Sequence, residues 1–272
     1  PNPKHFDWPH LYIYLNYFVY MGFAVFRRLL DLANLRLFVS SFLPIIWEEE
    51  IVFYLITRVF TATLGALTVF PVYLAGKKLF SKKVGLLASL AIALFPFHVH
   101  YSHYSLTEAP MVFLLAWVIY FSARILETAS LKDFVAAGFF VGLSASTKYN
   151  GGLSALIVAV AFFAHFLTKK PTSQVLLSAF KNSYRPLLSG FFALFGFLLG
   201  TPYALFDYKT FSRTDGPKGA YWQFTNVGSV SFSEQVSKFF NAFFSKFPSD
   251  WGAIFVILFV FALFYFLYKV FA

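Results

Sequence analysis

The chain has 272 residues, of which 59% are hydrophobic, 22% aromatic and only 12% charged, and its mean hydropathy is +0.67. Soluble domains are about one quarter charged, so this composition excludes a soluble globular protein and describes one built for a lipid bilayer. The net charge of +10 does not signal nucleic acid, because most Lys and Arg stand in loops between apolar runs, where they set orientation and meet anionic lipid.

Forty Phe and sixteen Tyr suit lipid-facing surfaces and interfacial belts. The absence of Cys removes disulfides and thiolate metal sites. The chain opens on Pro1-Asn-Pro-Lys-His5, with no initiator Met and no signal peptide, and stops directly after an apolar segment. It reads as a piece of a longer protein.

Residues 1–9 are polar and proline-containing and are expected to form a loop. Residues 10–30 form an aromatic-rich helix ending in Arg27-Arg28; its four Tyr and one Asn within ten residues favour a helix lying at the membrane interface. Residues 34–50 hold an apolar piece too short to span, then Trp47-Glu-Glu-Glu50. Spans are predicted at 51–75, 86–99, 109–121, 134–147, 153–167 and 187–199, with a last one at 251–268. The fourth is rich in Ala, Gly and Ser, which suits close helix packing. The organisation is thus a loop with interfacial helices (1–50), a core bundle (51–200), a long loop (201–250) and a last helix (251–272).

Seven spans place Lys77, Lys78, Lys82, Lys83, Lys132, Lys169, Lys170, Lys181, Arg185 and Lys269 on one side, which the positive-inside rule makes cytoplasmic. The other, outer side receives residues 1–50, the stretch Phe95-Pro-Phe-His-Val-His-Tyr-Ser-His-Tyr-Ser-Leu-Thr-Glu-Ala-Pro110, the Lys148 loop and residues 201–250. Asp7, Arg58, His103, Glu108, Lys148, Asp207 and Arg213 are all expected there. Ionisable groups at membrane depth are costly and mark sites.

Each has a plainer reading as well. Glu108 near Pro110 suits a helix N-terminus, and the same position suits a ligand for a sugar hydroxyl or a metal. Arg58 lies one or two turns inside a span and either snorkels to the interface or binds an anion such as a lipid phosphate. Lys148, clustered with Thr147, Tyr149 and Asn150, complements a helix C-terminus or serves the site. His98, His100 and His103 do not share a helical face, which argues against a metal site made by them alone. Trp47-Glu-Glu-Glu50, Lys209, Lys218 and Lys238 read as solvated or headgroup-facing charge. No phosphate-binding Gly-rich loop, Gly-x-Ser-x-Gly or His-Glu-x-x-His pattern is present.

Four stretches carry a resemblance. Phe6-Asp-Trp-Pro-His-Leu-Tyr-Ile-Tyr-Leu15, the run Arg58 to Phe80, His103-Tyr-Ser-Leu-Thr-Glu-Ala-Pro110 and Ser146-Thr-Lys-Tyr-Asn-Gly151 come in the order seen in polyprenyl-phosphate-dependent glycosyltransferases. The chain resembles the protein O-mannosyltransferase and aminoarabinose-transferase group (family 39, GT-C fold) over roughly residues 1–210. The resemblance implies an all-α polytopic membrane bundle with interfacial helices in its first outer loop. It implies an enzyme moving a sugar from a polyprenyl-phosphate donor to a protein or lipid acceptor at the outer face.

By the same resemblance Asp7 and Glu108 match acidic positions of the family, and Arg58 and Lys148 match basic positions near the lipid phosphate; with His103, Tyr149 and Arg213, expected on the same face from the sequence itself, they make up the candidate donor site. A divalent metal at Asp7, His103 and Glu108 is a further expectation. The family's Pro-Pro is Pro9-His10 here, and the Lys some members carry before it is Trp8. The family's general base, in an Asp-Glu motif, falls upstream of this chain, so no catalytic residue is assigned within it. Two other readings stay open: a non-catalytic membrane subunit of a larger assembly on the same fold, with membrane protein partners, and a transporter for a polyprenyl-linked sugar. The inner halves of the spans offer the transporter almost no polar path.

Overall fold

A computed structural model of the chain describes residues 2–169, 172–216, 218–223 and 231–246, and beyond them positions 248, 249, 252, 254, 256–261 and 264. The predicted last span, 251–268, lies half outside the described residues. Among those described there are helices and turns and no strands.

The element order is α1 (Leu11–Leu32), α2 (Arg36–Phe42), α3 (Glu49–Leu67), α4 (Val69–Leu79), α5 (Lys82–Leu94), α6 (Pro96–Ser102), α7 (Glu108–Thr128), α8 (Leu131–Thr147), α9 (Ala155–Lys169), α10 (Thr172–Lys181) and α11 (Tyr184–Gly200). Short turns follow at Tyr203–Phe206, Tyr208–Phe211 and Ala220–Trp222, then a helix at Phe232–Asn241.

Three stretches are long and apolar enough to cross a membrane: Glu50–Leu79, Glu108–Thr128 and Tyr149–Leu167. Two more qualify as bent pairs, α5 with α6 at 57° and residues 174–181 with α11 at 46°. The first bend falls at Phe95-Pro96. Phe95 is extended (ψ 113°), as a residue before proline prefers, and Pro96 has no N–H with which to continue the α5 hydrogen-bond ladder.

One expectation changes at this point. The predicted fourth span is α8, whose 17 residues cover only about 25 Å at 1.5 Å per residue, short of a hydrocarbon layer of about 30 Å. α1, at 22 residues, has the length to span, but its tyrosines, Asn16 and paired arginines keep it out of the apolar set.

Burial is inverted relative to a water-soluble protein. Leu37, Leu176 and Phe180 are each about four-fifths exposed, while Thr61, Thr147, Thr201 and Ser146 are fully enclosed. Large apolar side chains face outward because the bilayer solvates them, and small hydroxyl residues let helices close on one another.

α8 is the centre of the bundle. One side joins α7, α9 and α10 in a core that includes Val118, Ile125, Phe134, Val141, Phe162 and Phe166. The other side meets α11 through glycine: a Cβ added at Gly142 would lie 2.0 Å from the Ala193 carbonyl oxygen. α7 and α8 form an antiparallel hairpin with an ion pair at each end. At the turn end Arg124 Nε meets the buried Asp133 carboxylate at 2.7 Å, and Lys78 pairs with Glu127 beside it.

Candidate active site

The open end of the α7–α8 hairpin holds the second ion pair. Glu108 is the first residue of α7, and Lys148 follows the last residue of α8. A carboxylate at a helix N-terminus and an ammonium at a helix C-terminus each complement the local dipole. Being antiparallel, the two helices also bring these charges together, with Lys148 Nζ donating to Glu108 Oε1 at 2.7 Å. Both side chains stay a little over one quarter exposed. Lys148 is extended (φ −153°, ψ 129°), which stops α8 and turns the ammonium towards Trp8, whose ring lies 5.6 Å away. Gly151 is required behind it, because an added Cβ would lie 2.5 Å from the Ser144 carbonyl oxygen.

Arg58 joins this end from α3. Its side chain is exposed, and the guanidinium stands 5.6 Å from the Tyr54 ring and 5.9 Å from the Tyr104 ring. Tyr104 belongs to the turn leading to Glu108. The next residue, Ser105, shares the Tyr12 hydroxyl (3.1 Å) with Thr61 (2.7 Å), one turn beyond Arg58 on α3. Arg58, Glu108 and Lys148 are therefore carried by one connected set of elements. Among the described residues Arg58 makes no ion pair, so its charge is held by aromatic faces alone.

The N-terminal segment closes over this end. Tyr149 Oη donates to the Phe6 carbonyl at 2.6 Å, and Phe6 N donates to the Lys218 carbonyl at 2.7 Å. Asn2 donates to Asp207 at 2.8 Å and, with Thr210, holds that carboxyl below its ordinary range. His10 is fully buried, its ring nitrogen donating to the His5 carbonyl and its backbone N–H to Thr201 Oγ1.

Burial lowers the His10 pKa from its ordinary 6.5, so the folded state keeps the ring neutral where the unfolded chain begins to protonate. Stability contributed by this packing is complete above pH about 6.5 and is lost as pH falls towards the lower folded value. Hydrogen-exchange protection of residues 2–10 is expected to drop between pH 7 and 5, and the drop to vanish in His10→Asn.

The remaining predicted site residues are engaged elsewhere. Asp7 meets His5 at 3.0 Å. His103 turns its Nδ1 onto the Val99 carbonyl at 2.6 Å and closes α6. Arg213 pairs with Asp215 through two contacts, at 2.9 and 3.1 Å, on the exposed surface. Asp7, His103 and Glu108 are thus not brought together, and among the described residues no three His, Asp or Glu side chains are grouped as a metal site needs. His98 packs α6 on α3 through the Gly65 carbonyl (3.0 Å), and the His100 ring meets Tyr104 in a tilted contact, centroids 4.9 Å apart. Sequence reasoning missed Trp8, Tyr12, Tyr54 and Tyr104; the alternating Leu-Tyr-Ile-Tyr run was the signal available for Tyr12.

Residues 54–199 match the family model described as dolichyl-phosphate-mannose-protein mannosyltransferase. The chain belongs to that family. The match includes Arg58, His103, Glu108, Lys148 and Tyr149, while Asp7 and Arg213 lie outside it. Dolichyl-phosphate-mannose--protein mannosyltransferase 1 of Saccharomyces cerevisiae is 27% identical over 164 residues, 56% of this chain. The chain spans 19% of that relative's length. No solved structure gives a significant match. The mannosyltransferase family and the helical architecture agree with the resemblance carried by the four sequence stretches.

Proposed function

We propose that this chain forms the donor-handling part of a membrane mannosyltransferase that takes mannose from a dolichyl-phosphate carrier and delivers it to a protein hydroxyl at the extracytoplasmic face. Family membership supports the chemistry. The outer-face assignment rests on the lysines of the opposite end. The observation that supports the reading is the Glu108–Lys148 ion pair, linked through the Tyr104–Ser105 turn and Tyr12 to α3, where Arg58 has aromatic flanks and no ion pair among the described residues.

In the transfer an acceptor oxygen attacks the anomeric carbon while the bond from that carbon to the carrier phosphate breaks, and the phosphate leaves with the electron pair. Arg58 receives the developing phosphate charge, and a fixed cation does this best where water is scarce. Lys148 uses one of its three N–H donors on Glu108 and offers the others to a phosphate oxygen. Glu108 fixes the ammonium and accepts a sugar hydroxyl with its second oxygen. Arg58, Glu108 and Lys148 handle the donor, and the acceptor's proton passes to a separate general base.

Binding to the chain in lipid nanodiscs provides the test, comparing dolichyl phosphate with dolichol. The phosphate form is expected to bind at least tenfold tighter, and Lys148→Gln to narrow that ratio about fivefold. Equal binding of the two lipids would reject the phosphate site. Co-purification with other membrane chains in that case would favour the non-catalytic subunit.

A further inference from the structure

The lysine-rich end of the bundle carries a second, separate feature. α8 and α11 run parallel there, with Gly138 against Ser189 and Gly142 against Ala193. A groove of about 470 Å³ follows their outer side, lined by Leu131, Lys132, Val135, Phe139, Phe192 and Phe195 among others. It extends along α8 from Leu131 to Phe140, about 14 Å at 1.5 Å per residue, the depth of one leaflet. Apart from Lys132 every lining residue is apolar.

Lys132 is exposed at the mouth of the groove and has no ion-pair partner among the described residues. Asp133, its neighbour, is committed to Arg124 at 2.7 Å. A second cation stands nearby: Arg185 Nη1 donates to the Ala129 carbonyl at 2.9 Å, three residues before Lys132.

We propose that this groove binds an anionic glycerophospholipid, with one acyl chain lying against the phenylalanines and the phosphate held by Lys132 with Arg185 beside it. Charge decides between occupants. A purely apolar partner helix leaves the lysine unused, and a zwitterionic lipid offsets its phosphate with its own ammonium. The site lies at the other end of the α7–α8 hairpin from Glu108 and Lys148, so it stands or falls independently of the transferase reading.

Native mass spectrometry of the chain extracted in a non-ionic detergent, with equimolar phosphatidylglycerol and phosphatidylcholine, tests it. A basic residue at an anionic lipid is worth about 1 kcal/mol, or roughly fivefold. Wild type is expected to retain phosphatidylglycerol several-fold over phosphatidylcholine. Lys132→Gln is expected to cut that preference about fivefold and Lys77→Gln, an exposed lysine outside the groove, to leave it unchanged. Ala136→Trp, which fills the groove, is expected to lower retention of both lipids. Equal retention by wild type, or an unchanged preference in Lys132→Gln, overturns the proposal. Retention of glycerol phosphate as strongly as of phosphatidylglycerol overturns it too, by assigning a bare anion site.

Discussion

Replacing Arg58 with Gln is expected to lower the proposed mannosyl transfer by about 10²–10³-fold, the range for removing one preorganised donor from a developing oxyanion. The measurement is initial rate with a dolichyl-phosphate-mannose donor and an acceptor peptide, in membranes carrying the protein. The effect is expected mainly in kcat, because the charge on the bridging oxygen grows as the sugar bond breaks. Arg58→Lys recovers part of the rate and no more. A lysine keeps the charge but loses the planar contact with Tyr54 and Tyr104 and the forked donor geometry. Side-chain exposure at Arg58 makes a folding defect an unsuitable explanation, and thermal stability of the variant in detergent should match wild type. Wild-type rates in Arg58→Gln would remove this residue from the chemistry and with it the proposed donor site.

Gly142→Leu is expected to be the most damaging packing change. The obstructing atom is the Ala193 carbonyl oxygen, 2.0 Å from where the new Cβ must stand, and backbone on a packed helix cannot rotate away as a side chain can. Overpacking costs about 1–3 kcal/mol when side chains absorb it; here α11 itself has to move, so the loss lies at or above the upper end. The readout is thermal unfolding in detergent. Gly190→Ala is the control: it lies on α11 with nothing within 4 Å of the added methyl, and is expected to be neutral or to stabilise by up to about 1 kcal/mol. Equal stability of Gly142→Leu and wild type would mean that α8 and α11 do not meet through this surface.

Much of the helix pattern could be read before the fold, because apolar length and loop charge are local properties of the chain. Residues 51–75 and 109–121 fall inside long continuous helices for that reason. The shortness of α8 was harder to see. Its small residues signal close packing, but the stops at Ser130 and Lys148 depend on local backbone geometry. The bend at Phe95-Pro96 was signalled by the proline, although its angle depends on what α6 packs against.

At the candidate site, sequence reasoning placed Glu108 and Lys148 in one outer-face pocket but did not give the ion pair between them, since residues 40 apart touch only when α7 and α8 are antiparallel neighbours. The same limit misdirected the metal expectation. Asp7, His103 and Glu108 have suitable chemistry, yet each has a nearer partner in His5, the Val99 carbonyl and Lys148. Arg213 was selected for its charge, and Asp215 two residues away neutralises it.

The broken α5–α6 segment has a mechanical result. Its short arm is fastened to α3 at one level, where His98 holds the Gly65 carbonyl at 3.0 Å and Ser102 lies against the space a Gly65 side chain would need. The turn bearing Tyr104 therefore travels with the helix bearing Arg58, like two blades riveted near the handle. Thermal bending of the bundle then preserves the spacing between that guanidinium and its aromatic flank, whatever the rest of the molecule does around it.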